Sequence, residues 1–388
     1  MSMKVLLVTD NYYLEEVDGV YYHRYIDEHI KAYSSLGEIK LLLPVRHEIS
    51  INRIVDLSQV SVREIDKENT VYKRFINRNV NKVIIEEEVR NSDFVIGFVP
   101  SSVCDIAQSY AQKYGKKFMS VVIASAWDIL WYHSFSGKIM APISHFCTSR
   151  TIRKSDYVVY VTDEYLQRKY PTNGTAIGIS DVIVPEPTDS ILADRISRLR
   201  NKVDRRKLSV ATIGAVDVKY KAQDDVIKAM SLLASEGYDI EYTLIGGGNQ
   251  DRLKNVAASC SVPLEKIHFL GAVPHEEIYQ LLDNFDIYIQ PSRTEGLPRS
   301  VVEAMSRGVV TICSDVGGMP ELVDSKCIYQ AGNIRELAEK IMSLTDSEDI
   351  FVEISKQNFK RASDFQEEVL SNKRSRFLDM IKKEHYGL

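Results

Sequence analysis

Short apolar runs alternate along this chain with longer segments whose apolar residues return every three or four positions. Residues 4–9, 39–43, 93–98, 117–123 and 156–161 are runs of the first kind and predict buried strands. Residues 21–36, 103–114 and 139–153 are of the second kind and predict amphipathic helices, and Thr162 is placed to cap another. A loop containing Asp18-Gly19-Val20 is expected over 10–20. The alternation breaks at 180–187, where two prolines mark a crossing, and a charged helical segment follows at 189–206. It then resumes with strand runs at 208–214, 242–245, 267–270, 287–290 and 309–313. Helical patterns between them start at Lys221 and cover 276–282 and 299–307. Helices at 334–344 and 350–361, then a long amphipathic one at 365–383, close the chain. Two successive strand–helix series predict an α/β protein of two Rossmann-like domains with parallel sheets. The expected divisions are 1–185, 186–364 and a last helix within 365–388.

Composition changes this picture little. A length of 388 residues fits two domains, and 44% apolar with 27% charged residues is ordinary for a globular chain. A net charge of −5 provides no overall basic field to recruit nucleic acid. The five cysteines are scattered without disulfide or zinc spacing, which suggests a reduced, cytoplasmic chain. The apolar run at the start is too short for a signal peptide, and no later run is long enough to span a membrane.

The stretch 287–321 carries the densest chemistry. A buried run from Ile287 to Gln290 stops at Pro291-Ser292, and Glu295-Gly296-Leu297-Pro298 makes a tight turn. A helical pattern begins at Arg299 and ends at Gly308, a C-terminal cap. In a strand–loop–helix–strand unit, the loop sits at the carboxyl edge of a parallel sheet. The first N–H groups of the helix, at Arg299 and Ser300, have no partner inside it and carry about half a positive charge. A phosphate is held there without a basic side chain, and Gly296 lets a ligand approach the backbone. Glu295 precedes the helix and Glu303 lies on it, so the two carboxylates face different parts of one ligand. Taken alone, the same residues also read as a loop glutamate and a first-turn glutamate.

Glu295-Gly296-Leu297-Pro298, then Glu303, Ala304-Met305, Gly308 and Gly317-Gly318, closely resemble the donor-sugar motif of retaining glycosyltransferase family 4, of bacterial surface-polysaccharide type. The match runs from Glu295 to Gly318 with nothing inserted. The resemblance implies the GT-B fold: two Rossmann-like domains whose parallel sheets face across a cleft, with a C-terminal helix crossing back to the first domain. It implies transfer, with retention, from a nucleotide-diphosphate sugar to a saccharide or lipid-linked saccharide. Uridine diphosphate is the first expectation for the leaving group and guanosine diphosphate the second. No Asp-x-Asp sequence occurs, so neither a metal nor another cofactor is expected.

Residue by residue, the resemblance gives Glu303 the ribose hydroxyls. Glu295 binds the sugar hydroxyls and shapes the oxocarbenium-like state. Gly296, Leu297, Pro298, Arg299 and Ser300 form the phosphate-binding turn and helix start. The backbone at Gly271 and Val273 reads the base, and Gly19 brings a backbone to the donor phosphates. Lys221 matches a cation that meets the leaving diphosphate, with Ala222 where the family has glycine, and Ala215 stands where it has arginine. Lys219 is added as a second cation by inference rather than by motif. A histidine that faces the sugar in many relatives is absent from its place: Trp127-Asp128 stands there and His133 follows. Either Asp128 takes that role or His133 does so by another path. The two tryptophans nearby suit a sugar face or simple packing.

Tyr72-Lys73-Arg74-Phe75, Arg78 and Lys82, interleaved with apolar residues, suggest either a basic face for peripheral contact with anionic lipid or a solvated helix, and Glu86-Glu87-Glu88 weigh against lipid. Two rival functions remain. One is a nucleotide-sugar epimerase of the same fold, and the other a non-catalytic nucleotide-sugar-binding partner. A dinucleotide reading of Gly246-Gly247-Gly248 is weak, because the third glycine of that fingerprint falls on Asp251.

Overall fold

The structure, a computed structural model, describes residues 2–23, 26–48, 53–65 and 80–387, with no side-chain description for Val80 and His133. The basic stretch 72–78 lies outside the described residues. The chain divides into two compact units, Met1–Ile179 with Ser371–Leu388, and Ser180–Leu370.

Unit 1 begins with β1 (Met3–Val8), β2 (Leu14–Val17), β3 (Val20–Tyr22), β4 (Gly37–Leu43), β5 (Val45–Arg46), β6 (Ile54–Val55) and β7 (Ser61–Glu64). It continues with β8 (Phe94–Val99), β9 (Lys117–Val122), β10 (Tyr157–Tyr160) and β11 (Thr175–Gly178). Among the described residues, seven of these form a parallel sheet in the order β11-β10-β9-β8-β1-β4-β7. Its central strands are buried on both faces, which is why they read as unbroken apolar runs. The strand order reverses between β1 and β8. Ligands bind at the carboxyl ends of strands flanking such a reversal.

The expected loop over 10–20 is instead structured. β2 and β3 pair antiparallel in a four-stranded sheet, β5-β2-β3-β6, and Asp18-Gly19 connects them. Both connecting residues have positive φ, 53° and 79°, as a two-residue type I′ hairpin turn requires. The helix expected from residue 21 consequently starts later and runs Ile26–Tyr33, because Val20–Tyr22 is spent on pairing. A helix not expected from the sequence, Ala126–His133, precedes Phe135–Lys154, the longer form of the predicted 139–153. At the far end of the chain, Phe377 sets its ring against Tyr157, at 6.3 Å between centroids.

Unit 2 carries β12 (Lys207–Ile213), β13 (Asp239–Ile245), β14 (Ile267–Gly271), β15 (Ile287–Gln290), β16 (Val310–Ser314) and β17 (Ile328–Tyr329). They form a parallel sheet, β14-β13-β12-β15-β16-β17, whose order reverses between β12 and β15. Helices cover it, and one apolar core runs from Val182 to Phe365. Among the described residues, no helix is long and apolar enough to cross a membrane.

Candidate functional site

The residues of the sequence motif meet at the carboxyl ends of β12 and β15, on either side of the reversal in unit 2. From β15, the fully buried Gln290 accepts a hydrogen bond from the Tyr288 hydroxyl (2.5 Å) and another from Ser300 Oγ (3.1 Å) at its Oε1. Burial pushes the Tyr288 hydroxyl far above its ordinary value, so it remains a neutral donor. That fixes the Gln290 amide with its Nε2 turned outward, donating to Ser292 Oγ (2.9 Å) and to Glu295 Oε1 (3.0 Å). Ser292 Oγ donates to the same Glu295 oxygen (2.6 Å), and so does Lys221 Nζ (2.7 Å). One carboxylate oxygen thus collects three donors, and the carboxylate's orientation is set before any ligand arrives.

The loop that presents Glu295 is held from behind by the glycine pair after β16. Gly317 has φ +62°, and a Cβ there would stand 2.3 Å from the Glu295 carbonyl oxygen. Gly318 N–H donates to the Gly296 carbonyl (2.7 Å). Only a residue without a side chain lets the two loops touch this closely.

Lys221 reaches Glu295 from a different setting than the sequence suggests. The helix begins at Gln223, and Lys219–Lys221 is a separate 3-10 turn closed by Ala222 in the left-handed conformation. The helix's first turn is acidic, with Asp224 and Asp225, which suits its dipole better than a cation. Arg293 joins the two loops: its N–H donates to the Tyr220 carbonyl (2.7 Å) and its guanidinium meets Asp225 (2.5 Å). Lys219 lies exposed in the same turn.

The glycines at 246–248 have a packing role. A Cβ on Gly246 would fall 2.2 Å from the Gly214 carbonyl oxygen, and one on Gly248 would fall 2.4 Å from Asp217 Oδ1. Val216 N–H donates to the Gly247 carbonyl (3.0 Å) and Gly246 N–H to that of Gly271 (2.8 Å), so three successive strand-end loops are joined backbone to backbone. Gly271 has φ +72° with open space around it, and Val273 follows two residues on.

The helix Arg299–Ser306 starts at Pro298 with no side-chain cap. Glu303, on its buried face, pairs through Oε1 with His275 Nε2 (2.9 Å). The carboxylate raises the His275 imidazole above its ordinary value, against a smaller opposing effect of burial. His275 opens the helix that follows the Gly271–Val273 loop, so it links the two parts of the motif expected to hold the nucleoside. Sequence reasoning missed it. Its only local mark is a helix start directly after that loop. Arg299 donates to the Asp181 carbonyl (3.1 Å) within the same unit.

Gly19 and Asp128 belong to unit 1. Gly19 sits at the tip of the β2–β3 hairpin, its N–H donating to Glu16 Oε1 (2.7 Å), and among the described residues beyond its chain neighbours nothing lies within 4 Å of where a Cβ would be. Asp128 Oδ2 accepts from Lys169 Nζ (2.6 Å) and the Tyr165 hydroxyl (2.7 Å). Burial alone would push its carboxyl up, but the bonds from Lys169, Ser125 and Tyr165 outweigh this and hold it below its ordinary value. Trp127 and Trp131 stack on each other at 5.3 Å. Among the described residues, no group of three or more His, Cys, Asp or Glu side chains is arranged to hold a metal ion.

Residues 196–363 match the family described as Glycosyl transferases group 1. The protein CapJ of Staphylococcus aureus is 30% identical over 299 residues, 76% of this chain and 73% of that protein. Sucrose-phosphate synthase from Thermosynechococcus elongatus shares the fold at a TM-score of 0.71 and 14% identity, over 98% of this chain and 99% of that one. The Anabaena protein HepE, solved in complex with UDP, does so at 0.66 and 15% identity, over 97% of this chain and 100% of that one.

Proposed function

Because this chain belongs to the group 1 glycosyl transferases and has their GT-B fold, we propose that it transfers a sugar, with retention at the anomeric carbon, from a nucleotide-diphosphate sugar. Uridine diphosphate is the first choice of leaving group and guanosine diphosphate the second. The acceptor is a saccharide or lipid-linked saccharide of a surface polysaccharide. The observation that carries this reading is the Lys221–Glu295 pair, held by Gln290 and Ser292 beside an uncapped helix start.

The chemistry follows from charge. As the bond between the sugar carbon and the phosphate oxygen breaks, negative charge gathers on the departing diphosphate. The N–H groups of Arg299 and Ser300, with Lys219 and Lys221, are the groups we assign to meet it. An ammonium has three donors, so Lys221 can keep one on Glu295 and turn others to a phosphate. Glu295 takes the sugar hydroxyls. Gly296, Leu297 and Pro298 shape the turn that admits the phosphate. The leaving phosphate oxygen accepts the proton of the acceptor hydroxyl as that hydroxyl attacks from the same face. Glu303 takes the ribose hydroxyls, with His275 holding its other side, and the backbone at Gly271 and Val273 reads the base. From unit 1, the Gly19 backbone is assigned to the donor phosphates and Asp128 to the sugar.

A thermal-shift panel with uridine, guanosine, adenosine and thymidine diphosphates tests the donor assignment. One base, at about 100 times its dissociation constant, adds about 2.7 kcal/mol of stability, and Glu303→Ala weakens that gain. No shift with any of the four on the folded protein would overturn the reading.

A further inference from the structure

The helices Ala126–His133 and Phe135–Lys154 of unit 1 form a tight hairpin, of which the transfer chemistry uses only Asp128. Gly137 packs so closely that a Cβ would lie 2.2 Å from the Leu130 carbonyl oxygen, and Ser134 Oγ caps the second helix at Gly137 N–H (3.1 Å). The inner stripe, Gly137, Ala141, Thr148 and Thr151-Ile152, is buried. The opposite stripe is apolar and open to solvent: Phe135 is 81% exposed, Ile139 64%, Ile143 44% and Phe146 69%. These four follow helical spacing along about 16 Å of one helix face. Trp131 and Tyr132 extend it from the first helix, both exposed.

Charge completes the pattern. Residues 129–155 contain Lys138, Arg150, Arg153 and Lys154 and no aspartate or glutamate, in a chain whose net charge is −5. Lys138 lies over the Trp131 ring at 5.6 Å, and Lys154 bonds the neutral Gln112. Among the described residues, no carboxylate pairs with Lys138, Arg150 or Arg153. The apolar stripe therefore runs directly into exposed cations at Arg150 and Arg153 on the same face. Aromatic and aliphatic side chains on one face, bordered by unneutralised cations, suit the boundary between acyl chains and anionic headgroups. They do not suit a second copy of this chain. A two-fold contact through this stripe would bring like charges together.

We propose that the exposed face of the 126–154 helical hairpin docks the protein on an anionic lipid bilayer, with Phe135, Ile139, Ile143 and Phe146 entering the interface and Arg150 and Arg153 meeting headgroups. This surface differs from the basic stretch at 72–82 singled out in the sequence, and it stands apart from the donor-site reading, because lipid binding needs no sugar nucleotide.

Sedimentation of the full chain with vesicles tests the proposal. The protein binds phosphatidylcholine vesicles containing roughly 30 mol % phosphatidylglycerol, binds pure phosphatidylcholine vesicles at least ~10-fold more weakly, and is released by about 0.5 M NaCl. The double variant Phe135→Ser/Phe146→Ser, altered only at exposed positions, melts as the wild type does and loses at least ~10-fold in bound fraction. Arg150→Glu/Arg153→Glu loses a similar factor. Val203→Ser, at an exposed valine of unit 2, leaves binding unchanged. Failure of the wild type to bind anionic vesicles at low salt, or undiminished binding by both double variants, overturns the proposal. So does a wild-type dimer in analytical ultracentrifugation that Phe135→Ser/Phe146→Ser dissolves, since that outcome assigns the face to a second copy.

Discussion

The two units share a parallel-sheet plan and differ in what lies beyond their strand ends. In unit 2, the loops after β12, β13, β14, β15 and β16 are tied to one another by backbone bonds, side-chain bonds and glycine contacts, and the result is a pre-set carboxylate beside a lysine. In unit 1, the chain leaving β1 enters a separate four-stranded sheet, and the chain leaving β9 enters a helical hairpin with an apolar outer face. Rigid, mutually supporting loops suit a task in which charge must be met at a fixed place. Appended elements with exposed surface suit contact with something large. On the two readings proposed above, the same plan carries a fixed site in one unit and a docking face in the other.

Matched substitutions can break or sharpen this contrast. Gly317→Ala places a methyl group against the Glu295 carbonyl at a left-handed backbone position and should cost about 2–4 kcal/mol in urea denaturation. Gly19→Ala in unit 1 has the same backbone conformation but open space, so only the conformational term remains, about 1 kcal/mol. Equal costs would mean that the unit 2 loops are no tighter than the hairpin tip.

Asp128→Asn removes a charge from the bonds to Lys169 and Tyr165 and should cost about 1–2 kcal/mol near neutral pH. Because the folded carboxyl is held below its ordinary 3.8, this advantage is present above that pH and disappears as pH falls through the folded value. The smallest effect is expected at His275. Its imidazole is raised by Glu303, so the wild-type advantage over His275→Gln is full below about pH 6.5 and declines as pH rises above it. With the ring 63% exposed, solvent screening keeps that advantage under ~1 kcal/mol. Thermal melts from pH 5 to 9 check the sign.

The parallel strands were legible in the sequence because burial on both faces leaves unbroken apolar runs such as 94–99 and 287–290. The motif from Glu295 to Gly318 was legible for the same local reason: turn, helix start and double glycine are contiguous. What escaped was non-local or weakly patterned. The β2–β3 hairpin mixes Glu15 and Glu16 with short apolar stretches, and only the Asp18-Gly19 pair announced it. His275 meets Glu303 across 28 positions, and Lys221 meets Glu295 across 74, distances at which no periodicity survives. Lys221 was expected at a helix start, but Ala222 breaks the backbone there and the acidic pair Asp224 and Asp225 takes the first turn. The exposed face of Phe135–Lys154 escaped because its apolar residues have ordinary helical spacing. Only the fold shows which stripe is covered.

The central claim is that Glu295, held by Lys221, Ser292 and Gln290, acts on the sugar and not on the nucleotide. Its most direct test is Glu295→Ala, assayed for release of nucleotide diphosphate from a panel of uridine- and guanosine-diphosphate sugars and, on the same sample, for binding of the free diphosphate. The account predicts turnover lower by about 10²–10³ with diphosphate affinity kept within about threefold. Turnover near the wild-type rate, or loss of diphosphate binding in parallel with turnover, would contradict it.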